Sequence, residues 1–181
     1  MPWATTLDPK APPPPTLCVT VSSTTDVLII ADMQVDFLAP GGSLHVKGGE
    51  ALLDGINAVS SQLPFRYQVA TQDWHPENHC SFVTHGGPYS AFVEDNGVST
   101  GLAGLLHSIG ARRVFVCGVA YDFCVFFTAM DARKNGFSVV LLEDLTAAVD
   151  DAAWSARTAE LKDAGVVLLK SSALVAEGTQ T

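Results

Sequence analysis

Residues 114–136 read VFVCGVAYDFCVFFTAMDARKNG, and this stretch decides the fold. Residues 114–118 are a short, almost wholly apolar run, the composition of a strand covered on both faces. A break at residues 119–121 is followed by a helical pattern over residues 122–135, in which Phe123, Phe126, Phe127 and Met130 fall on one stripe at i, i+3, i+4 and i+7. Arg133 and Lys134 occupy the last turn, where cations suit the helix dipole, and Asn135-Gly136 supplies a stop. A buried strand that turns directly into an amphipathic helix is half of a strand–helix–strand unit.

Working outward, the same alternation recurs. Strand-like runs stand at 27–31, 67–71, 138–142 and 166–169, and helix-like stretches at 50–63, 101–109 and 151–164. Five apolar strands alternating with helices predict an α/β fold: a doubly wound, open parallel sheet with helices on both faces. The 181-residue length suits one domain, expected over residues 26–181. Residues 1–25 differ: the Pro12–Pro15 run and the Ser/Thr cluster at 22–25 predict a disordered tail.

The chain is 48% hydrophobic and 16% charged, enough apolar residues for a sizeable core and too few charges for a disordered chain. A formal net charge of -9 argues against nucleic acid as a partner. No apolar run reaches the roughly 20 residues needed to span a bilayer, and no membrane association is expected. Cys18, Cys80, Cys117 and Cys124 form no CxxC pair, which suggests reduced thiols and a cytoplasmic location.

In an open parallel sheet the ligand site lies beyond the carboxyl ends of the strands. Asp32 follows residues 27–31, Asp73, Trp74 and His75 follow residues 67–71, and the turn 119–122 with Cys124 follows residues 114–118. Cys124 falls in the first turn of its helix, where the dipole is expected to lower the thiol pKa. Backbone N–H groups between Ala120 and Cys124 are placed to bind an oxyanion. Asp32 is placed as a general base toward that thiol, or as a cap. Cys117, inside a strand, reads as structural, and Asp36 as a local hydrogen-bonding residue. Asp73 and His75, two apart in an extended segment, share a face and begin a Zn²⁺, Fe²⁺ or Mn²⁺ site that His79 or His85 could extend. His45 and His107 read as ordinary.

These segments together resemble the nicotinamidases, within the isochorismatase-like hydrolases. The resemblance is carried by Ala31-Asp32-Met33-Gln34 with Asp36-Phe37, Pro40-Gly41-Gly42-Ser43-Leu44, Gln72-Asp73-Trp74-His75-Pro76-Glu77-Asn78-His79, Tyr89-Ser90-Ala91-Phe92, and Cys117 through Val125. It implies that Cys124 is a nucleophile attacking the nicotinamide carbonyl, with Asp32 as the acid/base. It implies an oxyanion hole at Ala120 and Cys124, with a cis bond between Val119 and Ala120. Asp73, His75 and His79 are implied ligands of a divalent metal, zinc first, with iron or manganese as alternatives. Phe37 and Trp74 are implied to sandwich the ring. Deacylation by water would release nicotinic acid and ammonia, feeding NAD salvage.

The chain departs from the family pattern at one place. The family carries a Trp-Pro-x-His-Cys-Val segment and a strand ending in a catalytic Lys-Gly before the Tyr-Ser-Ala-Phe motif. Here His85-Gly86-Gly87-Pro88 runs directly into Tyr89. The resemblance then implies five strands instead of six, and loss of a metal ligand and of the lysine. Lys47 is the one lysine in a loop that could approach the site. Three readings follow: a working nicotinamidase, a catalytically impaired isoform that acts by pairing with full-length subunits, or a hydrolase of another small amide. A homo-oligomer is a further expectation.

Overall fold

The computed structural model describes residues 18–74 and 100–178. In chain order the elements are β1 (Val19–Val21), β2 (Asp26–Ala31), α1 (Val35–Leu38), a 3₁₀ turn (Gly49–Leu52), α2 (Leu53–Gln62), β3 (Tyr67–Ala70), α3 (Leu102–Ser108), β4 (Arg113–Val119), a π-helical turn (Tyr121–Val125), α4 (Phe126–Lys134), β5 (Ser138–Ala147), α5 (Ala153–Asp163), β6 (Val167–Leu169) and β7 (Leu174–Ala176).

β2 through β6 form one five-stranded sheet in the order β3-β2-β4-β5-β6. Every pairing in it is parallel. This is the expected architecture, and alternation along β2 shows why it holds together. Val27, Ile29 and Ala31 face a core built with Leu106 of α3, Phe126 and Ala129 of α4 and Leu161 of α5. Leu28 faces the opposite core, with Phe37 and Leu38 of α1 and Ile56 and Val59 of α2. Residues 114–117 and 119 of β4 have no exposed surface, so the strand needs apolar side chains on both faces.

The order of the strands fixes where a ligand can sit. From β2 the chain steps to β3 on one side, then crosses to β4 on the other. The carboxyl ends of β2 and β4 therefore flank the switch point, where side chains from the flanking helices diverge and leave a crevice. In register Ala31 pairs with Gly118. Gly118 has φ of 109°, and a Cβ there would lie 2.1 Å from the Ala31 carbonyl oxygen. Only glycine permits the two strands to approach this closely at the mouth of the crevice.

Four features differ from the sequence expectation. Part of the segment assigned to a tail is a strand: β1 pairs in parallel with β7, with Val19 opposite Leu174, and Val21 is fully buried. The helix expected over residues 122–135 begins as a π turn and becomes α-helical only at Phe126. The wider turn rotates the stripe, so Tyr121, Asp122, Val125, Phe126, Ala129 and Ala132 are buried, while Phe123 packs with the opposite core. α4 does end as expected, with Gly136 at φ 87° and its N–H donating to the Arg133 carbonyl. β5 runs five residues beyond residue 142, because a register shift after Val116 lets Thr146 and Ala147 pair with Gly118 and Val119. The short helix α1 is also additional to the expected elements.

Candidate active site

Asp32 is the first residue past β2. It is 5% exposed and has φ of 48°, so its backbone turns out of the sheet at once. Its carboxylate stays under the strand ends because Thr71, just past β3, bonds it twice. The Thr71 hydroxyl donates to Asp32 Oδ1 at 2.6 Å, and the Asp32 N–H donates to Thr71 Oγ1 at 3.3 Å. Two residues on, Gln34 makes a second pair across the same gap. The Asp73 N–H donates to Gln34 Oε1 at 2.9 Å, and Gln34 Nε2 donates to the Asp73 carbonyl at 3.2 Å. These bonds lock the exit of β2 to the exit of β3.

From the other side comes the turn after β4. The Val119–Ala120 peptide is cis, as the family resemblance implied. The Ala120 carbonyl accepts from the Phe123 and Val125 N–H groups at 3.1 and 3.0 Å, which winds the π turn that carries Cys124. Asp122, 2% exposed, accepts the Val149 and Asp150 N–H groups at 2.9 Å each and ties this turn to the loop after β5. Tyr121 stacks on Trp154 of α5 at 3.7 Å, and its hydroxyl pairs with Thr158 at 2.6 Å.

Asp32 and Cys124 lie close enough here that the Asp32 carboxylate and the Ala120 N–H both act on the thiol. Phe37, Leu44, Val46, Asp73, Ala120, Phe123 and Cys124 line a pocket at this edge. Leu44 and Val46 reach it because the loop after α1 doubles back on itself. Gly42 lies so close to the Asp36 carbonyl that a Cβ would sit 2.1 Å from that oxygen. The Val46 N–H then donates to the Phe37 carbonyl at 2.8 Å. The lining is mostly apolar, with one thiol, one carboxylate and one backbone donor, the composition of a site for a small flat ligand.

The expected lowering of the Cys124 pKa is overturned. Burial raises it, the Asp32 charge raises it further, and the hydrogen bond to Asp32 and the Asp73 charge add to the rise. Only the Ala120 N–H acts in the other direction. The dipole argument failed because the π turn leaves Cys124 in an apolar pocket between two carboxylates, and desolvation with like charge outweighs a helix end. Cys117 is buried and its sulfur meets the Ile29 carbonyl at 3.7 Å; burial pushes its pKa up to about 12.

Of the residues singled out in the sequence, the structure brings together Asp32, Phe37, Asp73, Ala120 and Cys124. Trp74 is not among the lining residues and is 80% exposed. Neighbours in an extended segment point to opposite sides, and Asp73 takes the side of the pocket. His75, His79, His85 and Cys80 lie outside the described residues. Among the described residues no three metal-type donors cluster. Asp36 meets Ser43 Oγ at 3.5 Å, and His107 stacks on Phe137 at 4.5 Å, both away from the chemistry. Thr71, Gln34 and Asp122 were given no role in the sequence reading. Their one signal was position, since each lies within two residues of a candidate.

Comparison with known proteins agrees with this geometry. The isochorismatase domain model matches residues 67–173. A nicotinamidase/pyrazinamidase of Mycobacterium tuberculosis is 34% identical over 186 aligned positions, covering 80% of this chain and 98% of that one. Among solved structures, PnC1 from L. infantum in complex with nicotinate is 81% identical with a TM-score of 0.83, covering 89% of this chain and all of that one. A zinc-bound pyrazinamidase of Pyrococcus horikoshii is 32% identical with a TM-score of 0.69, covering 80% of this chain and 98% of that one. With the cysteine, the carboxylate and the cis turn at one strand edge, and with these relatives over most of its length, the chain belongs to the isochorismatase family, among its nicotinamidases.

Proposed function

We propose that this chain hydrolyses nicotinamide to nicotinic acid and ammonia, with Cys124 as nucleophile. One observation carries the reading: the Asp32 carboxylate acts on the Cys124 thiol at a pocket lined by Cys124 and Ala120. A neutral thiol beside a carboxylate is the resting form of a nucleophile and its base. Asp32 takes the sulfur proton as the sulfur bonds to the amide carbon. The Ala120 N–H, already turned to this point, stabilises the charge that develops on the carbonyl oxygen. Asp32 then returns the proton to the departing nitrogen, and the C–N bond breaks to leave a thioester and ammonia. Water, deprotonated by Asp32, hydrolyses the thioester to the acid and restores the thiol. Phe37 supplies an aromatic wall for the pyridine ring. The product would feed NAD salvage.

A divalent ion, with zinc the first candidate and iron or manganese next, fits the donor chemistry. Asp73 gives the pocket wall a hard oxygen ligand, and Asp32 and Asp73 both make the surroundings of Cys124 negative. His75 and His79 are its proposed further ligands. When bound, such an ion supplies a Lewis acid for the ring nitrogen and for water. The catalytic domain is proposed to include β1, since Val19–Val21 pair with β7.

A second reading is favoured by two observations. The 186 aligned positions with the Mycobacterium tuberculosis protein use only 80% of these 181 residues, about 145, so about 40 positions of the relative lack a counterpart here. Among the described residues, the groups that act on Cys124 include two carboxylates and no cation. Both fit an impaired form that has lost a lysine-bearing segment and pairs with other subunits. The deciding experiment is nicotinic acid formation from nicotinamide with added Zn²⁺, Fe²⁺ or Mn²⁺, with Cys124→Ala as the blank. Turnover of about 1 s⁻¹ or more is within the ordinary enzyme range and supports the working enzyme. Turnover equal to the blank supports the impaired form.

A further inference from the structure

Asp32 has to be held, because nothing in the sheet holds it. It stands one residue past β2 with φ of 48°, outside the ladder that fixes Ala31 against Gly118. It is also almost fully buried, so water does not orient its carboxylate. A carboxylate in that position can rotate about two side-chain bonds, and a proton acceptor that turns away from the sulfur by even an ångström loses most of its effect.

Thr71 removes that freedom with a single atom. Its Oγ1 accepts the Asp32 backbone N–H and donates its own proton to Asp32 Oδ1. One oxygen therefore grips both the main chain and the side-chain end of Asp32, and closes a small ring that fixes the torsions between them. A hydroxyl is needed for this, since it has one donor and two lone pairs. Thr71 is itself fixed, because its N–H donates to the Ile30 carbonyl at 3.0 Å, two residues before Asp32 on the neighbouring strand. The β2–β3 pairing thus sets the hydroxyl, and the hydroxyl sets the carboxylate.

We propose that Thr71 is the positioning residue for the proton-transfer step: its hydroxyl fixes the orientation in which the Asp32 carboxylate serves the Cys124 thiol. The proposal rests on the reading of Asp32 and Cys124 as base and nucleophile. Thr71 is not among the residues that line the pocket, and its side-chain hydrogen bonds go to Asp32, so it acts through Asp32.

The test compares Thr71→Val, Thr71→Ala and Thr71→Ser with the unaltered chain, in ammonia release from nicotinamide and in crystal structures. Val keeps the shape and loses both bonds, while Ala serves where Val fails to fold. Loss of a hydrogen bond to a charged group predicts a kcat lower by roughly 10- to 100-fold in Val and Ala, with KM changed less than about threefold. Ser restores kcat to within about threefold. In the Val or Ala crystal structure the Asp32 carboxylate is rotated away from Cys124. An unchanged kcat in Val and Ala, or a loss in Ser equal to theirs, overturns the proposal. If the unaltered chain shows no turnover above Cys124→Ala, the functional reading fails by itself. The crystal structures then still decide the point, and an Asp32 carboxylate unmoved in Thr71→Val overturns the positioning role.

Discussion

Asp32 stands beside Cys124 at the carboxyl edge of the sheet, close enough for its carboxylate to raise the thiol pKa. Both the Asp32 charge and its hydrogen bond raise the thiol pKa. Removing the charge must therefore lower it. Asp32→Asn is expected to move the Cys124 titration, followed by the pH dependence of iodoacetamide labelling, to lower pH. Turnover should fall by about 10²–10⁴-fold in the same variant, since the proton acceptor is gone. A more reactive thiol in a less active enzyme separates a general base from a group that merely activates the resting thiol. A titration that moves upward would show that Asp32 does not act on Cys124 as described.

The same electrostatics set the order of thiol reactivity. Cys18 is exposed, Cys124 is partly buried between carboxylates, and Cys117 is fully buried. Among these three, at pH 7 iodoacetamide should label Cys18 first and Cys117 last, read by peptide mass spectrometry. Labelling of Cys124 ahead of Cys18 would restore the dipole argument that the structure displaced.

Much of this site was legible before any coordinates. Apolar strands announce a parallel sheet, and a parallel sheet places its chemistry at the carboxyl edge. Asp32, Asp73 and Cys124 could thus be gathered from three separate segments. The sign of the Cys124 shift was not legible. It depends on the balance of burial and charge in three dimensions, and the sequence showed only the helix end. Thr71 and Gln34 were silent for a related reason: their partners, Asp32 and Asp73, lie 39 residues away along the chain. β1 was mistaken for tail because three residues carry no periodicity, and its partner β7 lies at the other end of the domain.

Gly118 should be intolerant of any side chain. Its φ of 109° and the 2.1 Å approach of the Ala31 oxygen to a would-be Cβ leave no room at the switch point. Gly118→Ala is expected to cost at least about 2–4 kcal/mol, combining backbone strain with overpacking. Urea denaturation monitored by tryptophan fluorescence measures it. A loss below about 0.5 kcal/mol would mean the strands can part here without consequence, and that the close approach does not shape the crevice.

Phe37 should act on binding more than on chemistry. Its ring lines the pocket but makes no contact that moves a proton. Phe37→Leu keeps most of the buried volume and removes the aromatic face. KM for nicotinamide should rise roughly 2- to 10-fold with kcat little changed, the size of an aromatic pair interaction. A fall in kcat with KM unchanged would move Phe37 from the ring wall into the machinery that positions the amide.

The central claim is that Cys124 carries the acyl group. Its most direct test is rapid acid quench of the chain mixed with nicotinamide, followed by mass spectrometry of the Cys124 peptide. The account predicts a nicotinoyl adduct on Cys124 that decays with time, that is absent in Cys124→Ala, and that appears with the release of ammonia. Ammonia release that persists in Cys124→Ala, with no adduct on the unaltered chain, would contradict it.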